Sequence, residues 1–298
     1  MIDHSYLQFL VNNPEEISKI DFERLLELLE GAKEAFSKES LLIELQTESK
    51  DDKLIIIGDI HGNFNAFLTL LKIIREQDPK YVIFLGDIVD RGKNQLECLV
   101  MVLALKILNQ ESYFLLRGNH ETIEMNKAYG FYQDYLHQFD DAKSFYEIVR
   151  VYDRLPFCLT INDDILCLHG GIPENRHILQ LLKGLSQEDV DEVVLQDIED
   201  DLLQIMWNDP KEIQGFRPSF RGPGVFDYGE DIFKEFMAKN DLTYLIRAHE
   251  CFPEGYRWFF NKRLLSIFSA PDYRKGAYRN PGSYALIKNG KIIPKLFE

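Results

Sequence analysis

Short apolar runs, each ended by a glycine or a polar residue, recur along the chain from residue 54 onwards. The runs lie at residues 54–57, 81–85, 113–116, 165–168, 242–246 and 264–268. Runs of this length between turn residues are typical of buried β-strands. Longer stretches with apolar residues at helical spacing separate the early runs, at 66–75, 96–108 and 121–152. This alternation predicts a layered α/β domain.

The first 50 residues have a helical pattern instead. Residues 21–29 carry apolar side chains at helical spacing, Gly31 lies near the end of this segment, and the polar stretch 47–53 closes the region. We therefore predict a helical N-terminal region at 1–50, packed on a main domain at 51–298. Near the end of the chain, Asn289 and Gly290 separate two apolar segments, which predicts a hairpin with a two-residue turn.

Composition excludes several classes of protein. Hydrophobic residues make up 45% and charged residues 28% of the 298 residues, as in ordinary globular proteins. The longest apolar run, at 98–105, is far shorter than the roughly 20 residues of a membrane-spanning helix, so no membrane association is predicted. A net charge of −15 would repel nucleic acid. Four cysteines without CxxC spacing, and no readable secretory signal, predict a cytoplasmic protein with reduced thiols.

Potential metal ligands follow five of the apolar runs. The segments concerned are GDIHG at 58–62, GDIVDRG at 86–92, RGNHE at 117–121, HGG at 169–171 and RAH at 247–249. Ligand sites in open α/β sheets collect at the carboxyl ends of strands, so we expect these side chains to meet in one site. Four of the seven histidines lie in these segments, whereas His4, His137 and His177 do not.

The residue types at these positions indicate divalent metal ions. Aspartate, asparagine and neutral histidine suit manganese, iron or zinc, and the absence of cysteine ligands argues against a structural zinc site. Six such ligands are too many for one catalytic ion that must keep open positions. They fit two ions that share one bridging aspartate.

Seven motifs carry a family resemblance. In chain order they are GDIHG, GDIVDRG, RGNHE, HGG, WNDP, RAHE and SAPDY. Over about residues 54–287 they resemble the phosphoprotein phosphatase family of metal-dependent serine/threonine phosphatases, and the short chain is similar to archaeal or bacterial members. The resemblance implies the calcineurin-like metallophosphoesterase fold, a layered α/β sandwich with the metal site at the C-terminal ends of the strands. It makes residues 51–298 the metallophosphoesterase domain.

The resemblance also implies which residues form the site. The implied metal ligands are Asp59, His61, Asp87, Asn119, His169 and His249. The implied substrate-binding residues are Arg91, Asn119, Asp209, Arg221 and Tyr273. Asp87 would bridge the two ions. His120 would protonate the leaving alkoxide, and Asp90 would hold the imidazole of His120.

The implied function is hydrolysis of phosphoserine and phosphothreonine monoesters by direct attack of a metal-bridged hydroxide. Two divalent ions would be needed, with manganese the first choice and iron or zinc the alternatives. General chemistry agrees, because an alkoxide is a poor leaving group that needs a general acid, and arginine forks match the phosphoryl oxygens. The implied partners are phosphorylated proteins or peptides, and the sequence does not identify a regulatory subunit.

Two alternatives stay open. A hydrolase of dinucleoside polyphosphates on the same fold shares the first three motifs, but SAPDY and the segment 221–229 favour the protein phosphatase. A phosphoprotein-binding pseudoenzyme is disfavoured because no ligand or acid position has been lost.

The sequence departs from eukaryotic members at Asp272 and Arg274, where they commonly have asparagine and cysteine. Asp272 adds a negative charge near an anionic substrate, which Arg274 and Lys275 would offset.

Overall fold

A computed structural model describes residues 2–185, 192–274, 276 and 279–298, and in the helix 192–207 it describes side chains from residue 196. The helices in these ranges are α1 His4–Asn12, α2 Phe22–Ser37, α3 Phe64–Gln77, α4 Gln95–Leu108, α5 Ile123–Tyr129, α6 Phe131–Phe139, α7 Phe145–Tyr152, α8 Ile178–Lys183, α9 Glu192–Trp207 and α10 Glu230–Lys239. The strands are β1 Leu42–Leu45, β2 Leu54–Ile57, β3 Tyr81–Phe84, β4 Tyr113–Leu115, β5 Cys158–Ile161, β6 Ile165–Leu168, β7 Asp209–Pro210, β8 Phe216–Pro218, β9 Phe226–Tyr228, β10 Tyr244–Arg247, β11 Tyr256–Phe259, β12 Leu264–Ile267, β13 Gly282–Lys288 and β14 Lys291–Phe297.

Two large sheets form the centre of the fold. A five-stranded sheet has the order β14-β13-β2-β3-β4, and a six-stranded sheet has the order β1-β5-β6-β10-β12-β11. Side chains from both sheets, among them Ile56, Ile83, Cys167 and Ile246, belong to one buried apolar cluster, so the sheets pack face to face. Helices α1 to α4, α6 and α7 contribute to a second cluster, and α8 to α10 to a third. The layered α/β sandwich predicted from the sequence is therefore present.

The direction of the strands brings the predicted ligand segments together. Strands β2, β3 and β4 are parallel neighbours in one sheet. In the other sheet β10 is parallel to both β6 and β12. The loops after β2, β3, β4, β6 and β10 carry the five segments described above, and they meet at the carboxyl edge of the sandwich.

Local sequence signals account for most of the elements. Each predicted apolar run overlaps one of the strands, with bounds that differ by no more than two residues. The predicted stretch 121–152 contains three helices, α5 to α7. At the predicted hairpin, Asn289 and Gly290 have φ of 53° and 67°, the left-handed values that a two-residue type I′ turn between β13 and β14 requires.

The N-terminal region is not helical throughout. Helices α1 and α2 pack their apolar residues, including Leu25 and Leu28, into the same cluster as α4. Strand β1, however, lies within the first 50 residues and pairs in parallel with β5, with Leu42 opposite Cys158. The short run around Leu42 becomes a strand because β5 offers it a partner, which the local pattern does not reveal. The boundary at residue 50 stays a prediction.

A buried ion pair joins this N-terminal region to α4. The ammonium of Lys106 contacts the carboxylate of Glu39 and donates a hydrogen bond to the carbonyl of Gln110 at 2.8 Å. The two side chains are only 2% and 11% exposed. Burial raises the pKa of Glu39 and lowers the pKa of Lys106, so each charge depends on its partner to remain ionised.

We expect Lys106→Met to lower the free energy of unfolding by about 3–5 kcal/mol, because Glu39 would then be a buried carboxylate without a counter-ion. Urea denaturation measures this loss. The double variant Lys106→Met/Glu39→Gln should recover most of it, since no uncompensated charge remains. A double variant as unstable as the single one would show that the lost packing of Lys106, and not its charge, is responsible.

Candidate active site

The structure brings all twelve sequence-predicted site residues to one cavity of about 210 Å³ at the carboxyl edge of the sheets. Eight of them line it: His61, Asp87, Arg91, Asn119, His120, Arg221, His249 and Tyr273. The other four, Asp59, Asp90, His169 and Asp209, lie behind these residues and contact them. The six predicted metal ligands are all buried, with at most 9% of any residue exposed.

Asp87 lies between two groups of potential ligands. Its Oδ2 is 3.5 Å from His61 Nε2, and Asp59 Oδ2 is 3.6 Å from the same nitrogen. The other oxygen of Asp87, Oδ1, is 3.4 Å from His169 Nε2. One carboxylate oxygen therefore faces each group, which is the arrangement that a bridging ligand needs.

The second group of potential ligand atoms lies around His169 Nε2. Asn119 Oδ1 is 2.9 Å from His169 Nε2, and His249 Nδ1 is 3.2 Å from that same nitrogen. His169 Nδ1 lies 2.8 Å from the carbonyl of Leu85, to which it can donate. In that tautomer Nε2 presents a lone pair to Asn119 and Asp87, and a cation among these atoms would satisfy all of them.

His61 is held in the same way, with Nδ1 2.9 Å from the carbonyl of Val89 and Nε2 turned to the aspartates. Backbone carbonyls thus orient the two histidines that flank Asp87. Among the predicted site residues, two buried atoms have no hydrogen-bond partner, Asp59 Oδ2 and His249 Nε2. Orphaned buried acceptors of this kind, together with an oxygen and imidazole donor set, fit divalent metal ions.

The electrostatics of the site favour an added positive charge. Burial lowers the pKa of His61, but the hydrogen bond and charge of Asp59 and the charge of Asp87 outweigh burial and raise this pKa to about 9. Burial raises the pKa of Asp87, but the neighbouring histidines His169 and His120 outweigh it and hold the pKa well below the usual value. His249 differs, because burial, then Arg221, lowers its pKa and keeps the imidazole neutral. A neutral imidazole is the form that binds a metal.

Backbone conformation shows that the site is held under strain. Five of the predicted site residues, none of them glycine, have left-handed backbones with φ between 47° and 73°: His61, Asp87, Asp90, Arg91 and His249. Such conformations cost roughly 1–3 kcal/mol each and concentrate at functional sites. Gly118 is required by space, because a Cβ there would lie 2.3 Å from Asp87 Oδ1.

Glu121 joins the loop after β3 to the loop after β4, a role that the sequence did not reveal. Its carboxylate accepts hydrogen bonds from the backbone N–H groups of Asp87 at 2.8 Å, Ile88 at 2.9 Å and Gly118 at 2.9 Å. It therefore fixes the loop after β3 against the loop after β4. The only sequence signal was its place in the RGNHE motif.

His120 forms a hydrogen-bonded pair with Asp90. Its Nδ1 lies 2.7 Å from Asp90 Oδ2, and its Nε2 lies 4.0 Å from Asp87 Oδ2, on the cavity side. Asn126 donates from Nδ2 to Asp90 Oδ2 at 3.0 Å and to the carbonyl of His120 at 2.8 Å. Asn126 thus positions both members of the pair. No sequence pattern indicated this role of Asn126, because a single asparagine on a helix carries no signal of its own.

The two arginines predicted to bind phosphate are held by different contacts. Arg91 lies with its guanidinium 3.6 Å from the ring centre of Tyr129. Arg221 Nε donates to Asp209 Oδ2 at 2.5 Å. Asp209 Oδ1 accepts a second bond, at 2.8 Å, from Arg247, which is fully buried. Both oxygens of Asp209 are therefore occupied by arginines, and Asp209 contacts the cavity through Arg221.

Aromatic rings complete the wall of the cavity. Tyr273 stacks on His61 with ring centres 5.0 Å apart and planes at 16°. Trp207 meets His249 edge-on at 5.6 Å. Burial raises the pKa of Tyr273, so its hydroxyl stays neutral beside the ligands. Tyr273 and Trp207 thus hold the imidazoles of His61 and His249 from the side of the cavity.

Comparison with known proteins places this fold and site in a class. The profile of the calcineurin-like phosphoesterase family matches residues 53–253. The chain therefore belongs to the calcineurin-like phosphoesterase family, and the predicted fold is confirmed. No helix among the described residues has the length and apolar character needed to cross a membrane.

Within that family, serine/threonine phosphatases are similar over almost the whole chain. The serine/threonine-protein phosphatase BSL2 of Arabidopsis thaliana is 31% identical over 290 residues, 93% of this chain, and the chain spans only 28% of that protein. A protein serine/threonine phosphatase of Saccharomyces cerevisiae with similarity to human PP5 superposes with a TM-score of 0.83 and 27% identity, covering 100% of this chain and 96% of the other. The predicted resemblance to phosphoprotein phosphatases is confirmed.

A more distant structure shares the fold. The cold-active protein-tyrosine phosphatase of a psychrophilic Shewanella species matches with a TM-score of 0.61 and 19% identity, over 88% of this chain and 82% of that one. The architecture alone therefore accommodates phosphatases named for different phosphoamino acids, and selectivity must be argued from the site.

Proposed function

We propose that the chain is a metal-dependent phosphoprotein phosphatase that hydrolyses phosphoserine and phosphothreonine monoesters. The observation that carries the proposal is the meeting, in one cavity, of a buried ligand set around Asp87, the His120–Asp90 pair and two arginines. Each part answers one need of phosphate-ester hydrolysis: activation of water, protonation of the leaving group and binding of the phosphoryl oxygens. The similarity to BSL2 and to the yeast phosphatase supports the same function.

The proposed cofactor is a pair of divalent ions, with manganese the first choice and iron or zinc as alternatives. Asp59, His61 and Asp87 would hold one ion, and Asn119, His169 and His249 would hold the other together with Asp87. Support for two ions comes from Asp87, which belongs to both groups of closely spaced ligand atoms, one with His61 and His120 and the other with His169 and His249. Bound ions of this kind polarise a phosphoryl group and make water a nucleophile at neutral pH.

The side chains of the protein would bind the ester and move a proton. Arg91 and Arg221 would bind the phosphoryl oxygens in the cavity that they line together with Asn119. His120 would hold the transferable proton at Nε2 and pass it to the departing alkoxide, while Nδ1 remains bonded to Asp90. We assign Asp209 a positioning role through Arg221, since each of its oxygens accepts a hydrogen bond from an arginine.

Selectivity would follow from the depth of the site. Phosphoserine and phosphothreonine hold phosphorus close to the peptide backbone, whereas phosphotyrosine holds it a ring's length away. Tyr273 and Arg221 stand at the wall of a small cavity, which supports aliphatic phosphoesters as substrates. Cys98, Cys158 and Cys167 are buried and form no disulfides, which supports the cytoplasmic location proposed from the sequence.

Three substrates assayed with and without added manganese test the function: a phosphothreonine peptide, a phosphotyrosine peptide and a dinucleoside tetraphosphate. We expect the phosphothreonine peptide to have the highest kcat/KM, and only with metal. Preference for the dinucleoside tetraphosphate would establish the alternative hydrolase. Binding of the phosphopeptide without turnover under any metal would establish the pseudoenzyme.

Arg221→Ala is expected to lower kcat/KM on a phosphothreonine peptide by about 100-fold, because a charge-assisted donor is lost from a desolvated site. Arg221→Lys should recover only part of the loss, since a point charge does not reproduce the fork that bonds both to Asp209 and to phosphate. Arg217→Ala, an exposed arginine on β8, is the matched control. Unchanged kinetics for Arg221→Ala would remove this residue from the site.

A further inference from the structure

A second cavity, of about 430 Å³, adjoins the candidate active site, and most of its lining residues have no part in the proposed reaction. We call it the side groove. Its polar wall includes Asn63, Asn65, Arg91, Lys93, Asp272 and Arg274. Its volume lies within the range of about 300–1,000 Å³ that ligand pockets occupy.

The side groove is continuous with the active-site cavity. His61, Arg91, Tyr273 and Arg274 line both. A chain whose phosphorylated residue lies at the ligand cluster can therefore pass over Tyr273 and place a neighbouring residue in the side groove. Asn63 stiffens the far wall, because its Oδ1 caps α3 at Ala66 N (3.2 Å) and its Nδ2 donates to the carbonyl of Pro271 (3.4 Å).

The charges in the side groove are mostly positive, in a protein whose net charge is −15. Arg91, Lys93 and Arg274 are cations, and Asp272 is the one carboxylate among the described lining residues. Asp272 Oδ1 already has a counter-ion, since it lies 3.2 Å from Arg279 Nε. No described carboxylate forms such a pair with Lys93 or Arg274. Lys275, which the sequence analysis grouped with Arg274, lies outside the described residues.

We propose that the side groove binds an anionic side chain of the substrate, a carboxylate or a second phosphate monoester, close in sequence to the phosphorylated residue. The inference rests on the proposed phosphatase function and adds a substrate class to it. An acidic protein repels an anionic peptide, so nearby cations must offset this repulsion locally. Lys93 and Arg274, with which no described carboxylate forms an ion pair, are placed to do so. Asp272 sets the limit of the attraction, because its charge is only partly neutralised by an exposed arginine.

The test compares phosphothreonine peptides that carry glutamate or glutamine at each of three positions on either side of the phosphorylated residue. At low salt we expect the wild-type protein to favour glutamate by about two- to fivefold for each cation engaged, at one or two positions on one side only. The preference should shrink as ionic strength rises, since the Debye length falls to about 10 Å at 0.1 M salt. A phosphoserine at the preferred position distinguishes a carboxylate subsite from a phosphate subsite.

Lys93→Gln and Arg274→Gln should each reduce the glutamate-to-glutamine ratio of kcat/KM. Lys93→Gln should leave hydrolysis of para-nitrophenyl phosphate, which has no flanking residues, unchanged. Lys72→Gln, at an exposed position on α3 that does not line the side groove, makes the same charge change and should leave the ratio intact. Asp272→Asn should raise the ratio.

A wild-type protein that turns over the glutamate and glutamine peptides equally would overturn this proposal while leaving the phosphatase function in place. A ratio that falls as far in Lys72→Gln as in Lys93→Gln would also overturn it, because net charge and not the side groove would then be responsible. Failure of the proposed function looks different, since no phosphopeptide would be hydrolysed at all.

Discussion

Asp87→Asn is expected to lower metal affinity by more than about 100-fold and to abolish phosphatase activity. Asp87 faces both ligand groups, through Oδ2 to His61 and through Oδ1 to His169. Loss of an outer partner of a metal ligand already costs about 10–100-fold in affinity or activity, so loss of a ligand shared by two groups should cost more. Calorimetric titration with manganese, and elemental analysis of the purified protein, measure the effect without relying on turnover.

Asp59→Asn is the matched comparison, because Asp59 belongs to only one group. It should weaken chiefly one of two binding events and leave measurable residual activity. Dialysis against a strong chelator should inactivate the wild-type protein, and manganese should restore it better than magnesium, since nitrogen ligands favour the softer ion. Two binding events of unaltered affinity in Asp87→Asn, or full activity in a metal-free preparation, would refute the two-metal proposal.

His120→Asn is expected to retain metal binding but to lose roughly 10²–10⁴-fold in kcat on a phosphothreonine peptide, the usual contribution of a general acid. With para-nitrophenyl phosphate the loss should be much smaller, because that leaving group departs without protonation. The difference between the two substrates is the decisive quantity. An equal loss on both would mean that His120 positions the site instead of donating a proton.

Two further variants sharpen this measurement. Asn126→Ala keeps the imidazole but removes the bonds from Nδ2 to Asp90 and to the carbonyl of His120. It should produce the same substrate-dependent pattern with a smaller loss, and its metal content should be normal. His137→Asn changes an exposed histidine on α6 and should leave both substrates unaffected.

Sequence patterns were informative where structure depends on neighbours along the chain. Runs of apolar residues located six strands of the two sheets, and Asn289-Gly290 located the hairpin, because strand period and turn geometry are local properties. The ligand segments could be found for a related reason. Each follows a strand directly, so its place at the carboxyl edge depends only on strand direction. The segments that carry the candidate ligands were located in this way, and the resemblance to phosphoprotein phosphatases implied which six residues in them are the ligands.

Residues that act across the fold gave no such signal. Strand β1 depends on pairing with β5, far along the chain. Asn126 is an ordinary residue on a helix. Glu121 and Arg247 lie in motifs, but the motifs do not show which atoms these side chains contact. The substrate-binding role of Asp209 stays a prediction, and only the structure shows that this side chain lies between Arg221 and Arg247. A hydrogen-bond partner is selected by three-dimensional distance, which a linear pattern does not contain.

The sequence by itself therefore determined the layered α/β architecture, the family resemblance and the residue types of a metal-dependent hydrolytic site. Only the tertiary structure decided which oxygen of Asp87 faces which ligand group, how Asp90 and Asn126 orient His120, and that a cationic groove adjoins the cavity. The physical reason is the same in each case. Strand and turn preferences arise within a few residues, whereas a bridging carboxylate, a positioned acid and the net field of a groove arise from side chains that folding brings together from loops of both sheets.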